Sequence, residues 1–199
     1  VIDALLLTRA RVQANPALAD TVQPVLDRFA DKRIVLVTTH RRENFGEGLS
    51  NILDSVAELA RRPDVACVLP VHLNPNVRPI VEERLSRIDS VALVEPLDYP
   101  NFTWLLAHAH LVLTDSGGVQ EEAPAFGKPV LVMRETTERG EGVDAGTARL
   151  VGTDAAKILR EAGYLLDNEQ AYKEMAEAPN PFGDGGAARR IAVQLLLSS

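Results

Sequence analysis

Residues 111–139 read LVLTDSGGVQEEAPAFGKPVLVMRETTER. Their succession of strand, glycine turn, helix and second strand decides how the rest of the chain folds. Leu111–Thr114 is a short apolar run bounded by polar residues, the pattern of a buried parallel strand. Asp115, Ser116, Gly117 and Gly118 stop that strand. The two glycines permit a sharp turn and let a ligand approach the backbone without a Cβ in the way. Residues 119–126 have a helical look, and Gly127 stands where a C-terminal cap belongs. After Lys128 and Pro129, residues 130–133 begin the next strand. A helix starting at 116–118 aims free backbone N–H groups, and the positive end of its dipole, at the mouth of the sheet. That suits a phosphate or a diphosphate. Glu121 and Glu122 lie in its first turns, where a carboxylate is favoured and where one of them has acceptors for a ribose diol. Arg134 and Arg139 follow the second strand, within reach of the same mouth. Read as local structure alone, the segment is a common βα turn with acidic dressing. With the serine, the paired glutamates and the basic loop, it reads as a nucleotide-phosphate site.

Working outward, short β-branched or apolar runs at 33–39, 65–71 and 91–95 read as strands. Helical patterns at 48–61, 77–88 and 101–109 separate them. Helices are also expected at 1–9, 22–29, 155–166, 169–178 and 187–197. Strands alternating with helices of about ten residues predict an α/β fold with a doubly wound parallel sheet. Such sheets bind ligands outside the carboxyl ends of their strands. Loops 40–46, 72–76, 96–102 and 115–118 then share one rim.

The polar residues on that rim each have two readings. His40 ends the first strand in the run His40-Arg41-Arg42-Glu43; it either holds a diphosphate or serves as a general acid toward a leaving phosphate. Arg41 and Arg42 either bind anions or pair with Glu43 or Glu47. His72 also ends a strand, with Arg78 nearby, and either meets a ligand or packs in its loop. Phe102 either stacks on a base or packs in the core. His108 and His110 flank a helix-to-strand join and are expected to do no chemistry. A triad of Ser116, His40 and an acid is discounted, because Ser116 lacks the Gly-x-Ser-x-Gly elbow.

The chain has 199 residues, 46% of them hydrophobic and 25% charged, a composition suited to one globular α/β domain. Its net charge of −7 argues against a nucleic-acid backbone as partner but leaves room for a nucleotide in a local positive site. The single cysteine, Cys67, lies in an apolar run and reads as core. No zinc-ligand spacing exists, and no metal is expected. No signal-peptide pattern and no membrane-spanning apolar run is found, so the expected compartment is the cytoplasm. The opening VIDALLLTRA reads as a domain boundary within a longer protein.

Five stretches carry a family pattern: THRRENFGEGLSNI (39–52), PVHLNPNVR (70–78), LTDSGGVQEEAPAFGKPVLVMRETTER (113–139), AGTARLVGTD (145–154) and NPFGDGGAARRI (180–191). Together they resemble the non-hydrolysing UDP-N-acetylglucosamine 2-epimerases over nearly the whole chain. The resemblance implies a glycosyltransferase-B fold, two Rossmann-like domains with the active site between them. This chain would supply linker and crossover helices (1–30), the UDP-binding Rossmann-like domain (31–180) and a C-terminal helix (181–199). An N-terminal domain carrying the acidic residues that move the sugar's C2 proton would be absent. By the same resemblance, His40 would lie at the diphosphate and take part in catalysis, and Phe102 would sit against the uracil. Ser116, Gly117 and Gly118 would hold the diphosphate, Glu122 the ribose hydroxyls, and Arg139 a phosphate. Arg41 and His72 are similar to positions that hold a second UDP-sugar acting as activator.

No cofactor is implied, since UDP is both leaving group and nucleophile. The implied partners are UDP-N-acetylglucosamine, UDP, the missing domain and a second copy in a homodimer. The chain departs from the family in having Arg139-Gly140-Glu141 where Arg-Pro-Glu is usual. Alone it is expected to bind UDP weakly and not to turn over. Two rivals stand beside this reading: a UDP-sugar glycosyltransferase of the same fold, and a stand-alone inactive UDP-sugar-binding domain.

Overall fold

The structure is a computed structural model and describes residues 1–198; Ser199, the last residue of the expected 181–199 segment, lies outside the described residues. Six strands form one sheet: β1 (Arg33–Thr38), β2 (Val65–Pro70), β3 (Val91–Val94), β4 (Leu111–Thr114), β5 (Val130–Val132) and β6 (Ala148–Leu150). All pairings are parallel, in the order β3-β2-β1-β4-β5-β6. This is the doubly wound sheet the alternating pattern predicted.

Ten helices accompany it among the described residues. They are α1 (Ile2–Ala14), α2 (Gln23–Arg28), α3 (Glu47–Leu59), α4 (Arg78–Leu85), α5 (Tyr99–His108), α6 (Gly117–Glu122), α7 (Gly140–Asp144), α8 (Ala155–Asp167), α9 (Glu169–Ala176) and α10 (Ala187–Leu197). The strands are apolar on both faces because both faces are covered. Val35, Val37, Cys67, Leu69, Leu111, Leu113 and Leu131 join the helix residues Ile52, Val56, Ile158 and Leu165 on one face. The alternate set Ile34, Leu36, Ala66, Val68, Val112 and Val130 joins Val12, Leu26, Leu105 and Val119 on the other. Each such fully buried side chain contributes about 1.5–3 kcal/mol. Cys67 is among them, its thiol pushed up to about 12 by burial, which fits core packing rather than a nucleophile.

The short helix α7 and the edge strand β6 occupy 140–150, where the sequence predicts no element. Helix α1 runs five residues further than expected, to Ala14, and its Leu5 and Val12 are buried. Helix α10, by contrast, buries none of its described residues, and Ile191, Val193, Leu195 and Leu197 are exposed. The carboxylate of Asp3 in α1 accepts from the first backbone amides of α10, Ala187 at 3.2 Å and Ala188 at 2.6 Å. That supplies the N-terminal cap that α10's own Gly186 cannot. Gly127 takes the left-handed conformation expected of a cap, φ 63°.

Candidate active site

The strand order reverses between β1 and β4, and crevices for ligands open at the carboxyl ends of such a pair. Register places Thr38 beside Thr114, so the chain segments that follow, 39–44 and 115–118, leave the sheet side by side. The two threonine hydroxyls lie 2.6 Å apart, and Thr114 Oγ1 accepts from the Ser116 amide at 2.9 Å. The glycine turn is thereby anchored to both strands.

Between the two segments sits a carboxylate that sequence reading passed over. Asp115 has a fully buried side chain. Its Oδ2 accepts from Thr39 Oγ1 (3.1 Å), His40 N (3.0 Å), Arg41 N (2.9 Å) and Asn44 Nδ2 (3.1 Å). The imidazole Nδ1 of His40 stands 3.3 Å from Oδ1. Four donors from one loop converge on one carboxylate, which makes Asp115 the post around which the loop 39–44 wraps. The available signal was an acid closing a buried strand beside a donor-rich loop. The pairing spans some seventy residues and could not be read from either segment alone.

A cavity of about 280 Å³ opens above these strand ends, walled by His40, His72, Leu97, Phe102, Ser116 and Val119 among others. The structure thus gathers all four anticipated rim loops, the glycine turn among them, into one cavity. The rings of His40 and His72 stack at 5.8 Å between centroids with an interplanar angle of 18°. His72 Nδ1 accepts from the Asn74 amide at 3.1 Å. Phe102 is partly buried against the core of the α5 face while also lining the cavity, so both of its readings hold in part.

Gly117 and Gly118 are not among the glycines with positive φ. Ordinary L residues could adopt the same backbone there, so the turn itself does not require glycine. A Cβ on Gly118 would meet no atom within 4 Å; one on Gly117 would stand 3.8 Å from the guanidinium groups of both Arg41 and Arg139. What remains of the expectation is ligand approach. The two guanidinium groups lie beside Gly117, the first residue of α6, so positive charge from two side chains adds to that of the helix terminus. Arg139 is held there by Glu121, to which its Nε donates. Gln120 ties the same loop to the turn: its Nε2 donates to Ser116 O at 3.2 Å and its Oε1 accepts from Thr137 Oγ1 at 2.6 Å.

Arg134 does not reach the mouth as a free cation. It is buried, donating from Nε to Glu43 and from its Nη atoms to Glu138 at 2.6 and 3.1 Å. Glu43 therefore pairs with Arg134, not with Arg41 or Arg42, which was one of the readings the sequence left open. Arg134 holds loops 40–44 and 134–138 together. Likewise Arg78 near His72 is engaged by Glu95 and Glu82.

Glu122 does not line the cavity itself. It is half-buried at the end of α6, and its Oε1 accepts from the Tyr99 hydroxyl at 2.8 Å. Burial raises the Glu122 carboxyl above the usual glutamate range, and Glu121 adds to the rise, while the Tyr99 hydrogen bond opposes it. Burial and Glu122 together push the Tyr99 phenol well above its usual range, so Tyr99 stays a donor at neutral pH. Of the remaining histidines, His110 stacks on Tyr172 at 4.2 Å, and burial pushes it down to about 4. Among the described residues no group of three or more His, Cys, Asp or Glu is arranged to hold a metal ion, and no helix is long and apolar enough to cross a membrane.

Comparison with known proteins completes the picture. Residues 1–196 match the model of a family described as UDP-N-acetylglucosamine 2-epimerase. A probable UDP-N-acetylglucosamine 2-epimerase of Ralstonia nicotianae is 54% identical over 193 residues, covering 96% of this chain and 52% of its own length. The UDP-N-acetylglucosamine 2-epimerase of Escherichia coli K12 is 51% identical over 195 residues, 51% of its length. Among solved structures, the Neisseria meningitidis UDP-GlcNAc 2-epimerase bound to UDP-GlcNAc superposes with a TM-score of 0.90 at 42% identity, covering all of this chain and 53% of that one. The Methanocaldococcus jannaschii enzyme in complex with UDP-GlcNAc and UDP gives 0.78 at 28% identity, again covering all of this chain and 53% of that one. The chain spans about half the length of the curated relatives it matches.

Proposed function

Because the chain belongs to the UDP-N-acetylglucosamine 2-epimerase family, we propose that it is the C-terminal, UDP-binding half of an enzyme that interconverts UDP-N-acetylglucosamine and UDP-N-acetylmannosamine. The observation that carries this reading is the convergence at the β1/β4 switch point. His40, Phe102 and Ser116 wall one cavity, and two guanidinium groups flank the adjoining glycine turn. In the proposed reaction a base from the other half removes the sugar's C2 proton and UDP departs, leaving a glycal. The proton returns on the opposite face and UDP adds back. The diphosphate would lie on the amides of Ser116, Gly117 and Gly118 beside Arg139, with the uracil against Phe102 and the ribose diol on Glu122. His40 faces the phosphate that takes up charge as the C1–O bond breaks. The intact protein would add an N-terminal half, form a homodimer and work in the cytoplasm. The exposed apolar residues of α10 are proposed as the contact for that N-terminal half.

The test is incubation of the intact protein with UDP-N-acetylglucosamine and no acceptor. Formation of UDP-N-acetylmannosamine is expected. Absence of conversion, with sugar transfer on adding an acceptor, would replace the reading with a glycosyltransferase.

Glu122→Ala should weaken UDP binding by about 1.5–3 kcal/mol, the worth of a charged hydrogen bond. The pH dependence has a definite sign. A ribose hydroxyl bonds best to the ionised carboxylate, and the unliganded Glu122 holds its proton more tightly than an ordinary glutamate. UDP affinity should therefore be complete at neutral pH and fall on acidification, beginning above the usual glutamate range. Calorimetry that finds Glu122→Ala binding UDP as wild type, with the same acid limb, removes Glu122 from the ribose.

The second-ligand role of Arg41 and His72 rests on resemblance and on their places beside the turn and in the cavity. Changing either should flatten any sigmoidal dependence of rate on UDP-N-acetylglucosamine. If wild type converts UDP-N-acetylmannosamine at full rate with no UDP-N-acetylglucosamine present, no activator site exists.

A further inference from the structure

We infer that Asp115 is a positioning residue for His40: its buried carboxylate holds the imidazole proton on Nδ1 and leaves Nε2 for the ligand cavity. The two carboxylate oxygens are unequally served. Oδ2 receives four donors, from Thr39, His40, Arg41 and Asn44. Oδ1 receives only a share of the His40 amide, at 3.2 Å. A fully buried carboxylate oxygen favours a second donor, and His40 Nδ1, in ion-pair range at 3.3 Å, is the side-chain nitrogen that a small turn of the ring would align with it. Arg41, the nearest cation in sequence, is turned elsewhere: its Nε donates to the Asp115 carbonyl at 3.3 Å. The opposite tautomer would set a nitrogen lone pair against the carboxylate, and a flipped ring would set a C–H there. Either leaves Oδ1 with the shared His40 amide as its one donor among the described residues.

The neighbouring imidazole supplies an internal contrast. His72 uses Nδ1 as an acceptor for the Asn74 amide, so its neutral form carries the proton on Nε2. The two stacked rings thus hold opposite tautomers. For the proposed reaction, on which this last consequence rests, neutral His40 meets a phosphate oxygen with a bare Nε2. It donates to departing UDP only when a second proton sits on that nitrogen, while the Nδ1 proton stays with Asp115.

Ring-nitrogen NMR of the 15N-histidine-labelled chain tests this directly, recorded at alkaline pH where imidazoles are neutral and assigned with His40→Gln and His72→Gln. His40 should show a protonated Nδ1 and a bare Nε2, and His72 the reverse. A His40 ring protonated on Nε2, or an even mixture, overturns the inference. Asp115→Asn should release His40 toward the mixture of a free imidazole, and an unchanged His40 pattern would show that something else fixes the ring. Should that variant not fold, the wild-type Nδ1 proton serves instead: held on a buried carboxylate it exchanges slowly and is seen, and a proton lost to rapid exchange counts against Asp115. Adding saturating UDP to the intact protein should move the Nε2 resonance of His40 and leave Nδ1 in place. If UDP moves neither nitrogen although the tautomer is as expected, the UDP reading fails and the positioning by Asp115 stands.

Discussion

His40→Ala in the intact protein should lower kcat by about two orders of magnitude or more, the usual contribution of a positioned acid or charge-stabilising group. The expectation follows from where the ring lies: on the cavity wall at the switch point, held by Asp115 on its inner side. UDP affinity should fall less than kcat, because in the proposed reaction the interaction would strengthen as the C1–O bond breaks and charge collects on the diphosphate. His40→Asn separates two roles. It restores hydrogen bonding without proton transfer, so recovery of most of the rate would make the ring a donor to charge and not an acid. Turnover of His40→Ala at saturating substrate is the deciding measurement. A value within about threefold of wild type would leave His40 with no part in the chemistry.

Asp115→Ala should be the most destabilising single change at the site, costing about 3 kcal/mol or more. Truncation strands several buried donors at once: the amides of His40 and Arg41, the Thr39 hydroxyl and the Asn44 amide group. Each unsatisfied buried group costs about 1–3 kcal/mol, and partial collapse or entering water recovers some of the sum. His40→Ala is the informative comparison, since it keeps every backbone donor to Asp115 and should cost far less stability. Urea unfolding of this chain measures both. A loss below about 1 kcal/mol for Asp115→Ala would show that solvent replaces the carboxylate and that the loop 39–44 does not depend on it.

What the sequence made legible divides along a physical line. Arg33–Thr38 and Leu111–Thr114 announce themselves because a strand buried on both faces must be apolar at every position, and that is visible in a short window. The rim loops and the glycine turn follow from the topology those strands impose. Strand β6 escaped notice because it is three residues long, half-buried at the sheet's edge, and carries Arg149 in its middle. Helix α7, Gly-Glu-Gly-Val-Asp, has the composition of a loop and is helical through its surroundings.

The family resemblance named side chains that would meet the ligand and was silent on what holds them. Asp115 with the 39–44 loop, Tyr99 with Glu122, and Arg134 with Glu43 are pairings between distant segments. No periodicity records such a pairing. The assignment of Arg134 to the mouth erred for that reason: its position after β5 was right, but two carboxylates had already claimed its charge.

The glycines of this chain fall into two kinds, and they would age differently. Gly127 and Gly152 sit at positive φ, with Ala176 and Glu135 crowding the space a side chain would need. A lineage that keeps the fold is under backbone pressure to keep them. Gly117 and Gly118 have an ordinary backbone and open room for a methyl group, so the chain itself exerts no demand for glycine there. In a descendant that kept this architecture but lost the proposed nucleotide site, those two positions would be among the first free to drift, while Gly127 and Gly152 would be held by their backbone. A duplicated copy that still reads Gly-Gly after Ser116 would carry, in two letters, a record that something still presses against its backbone.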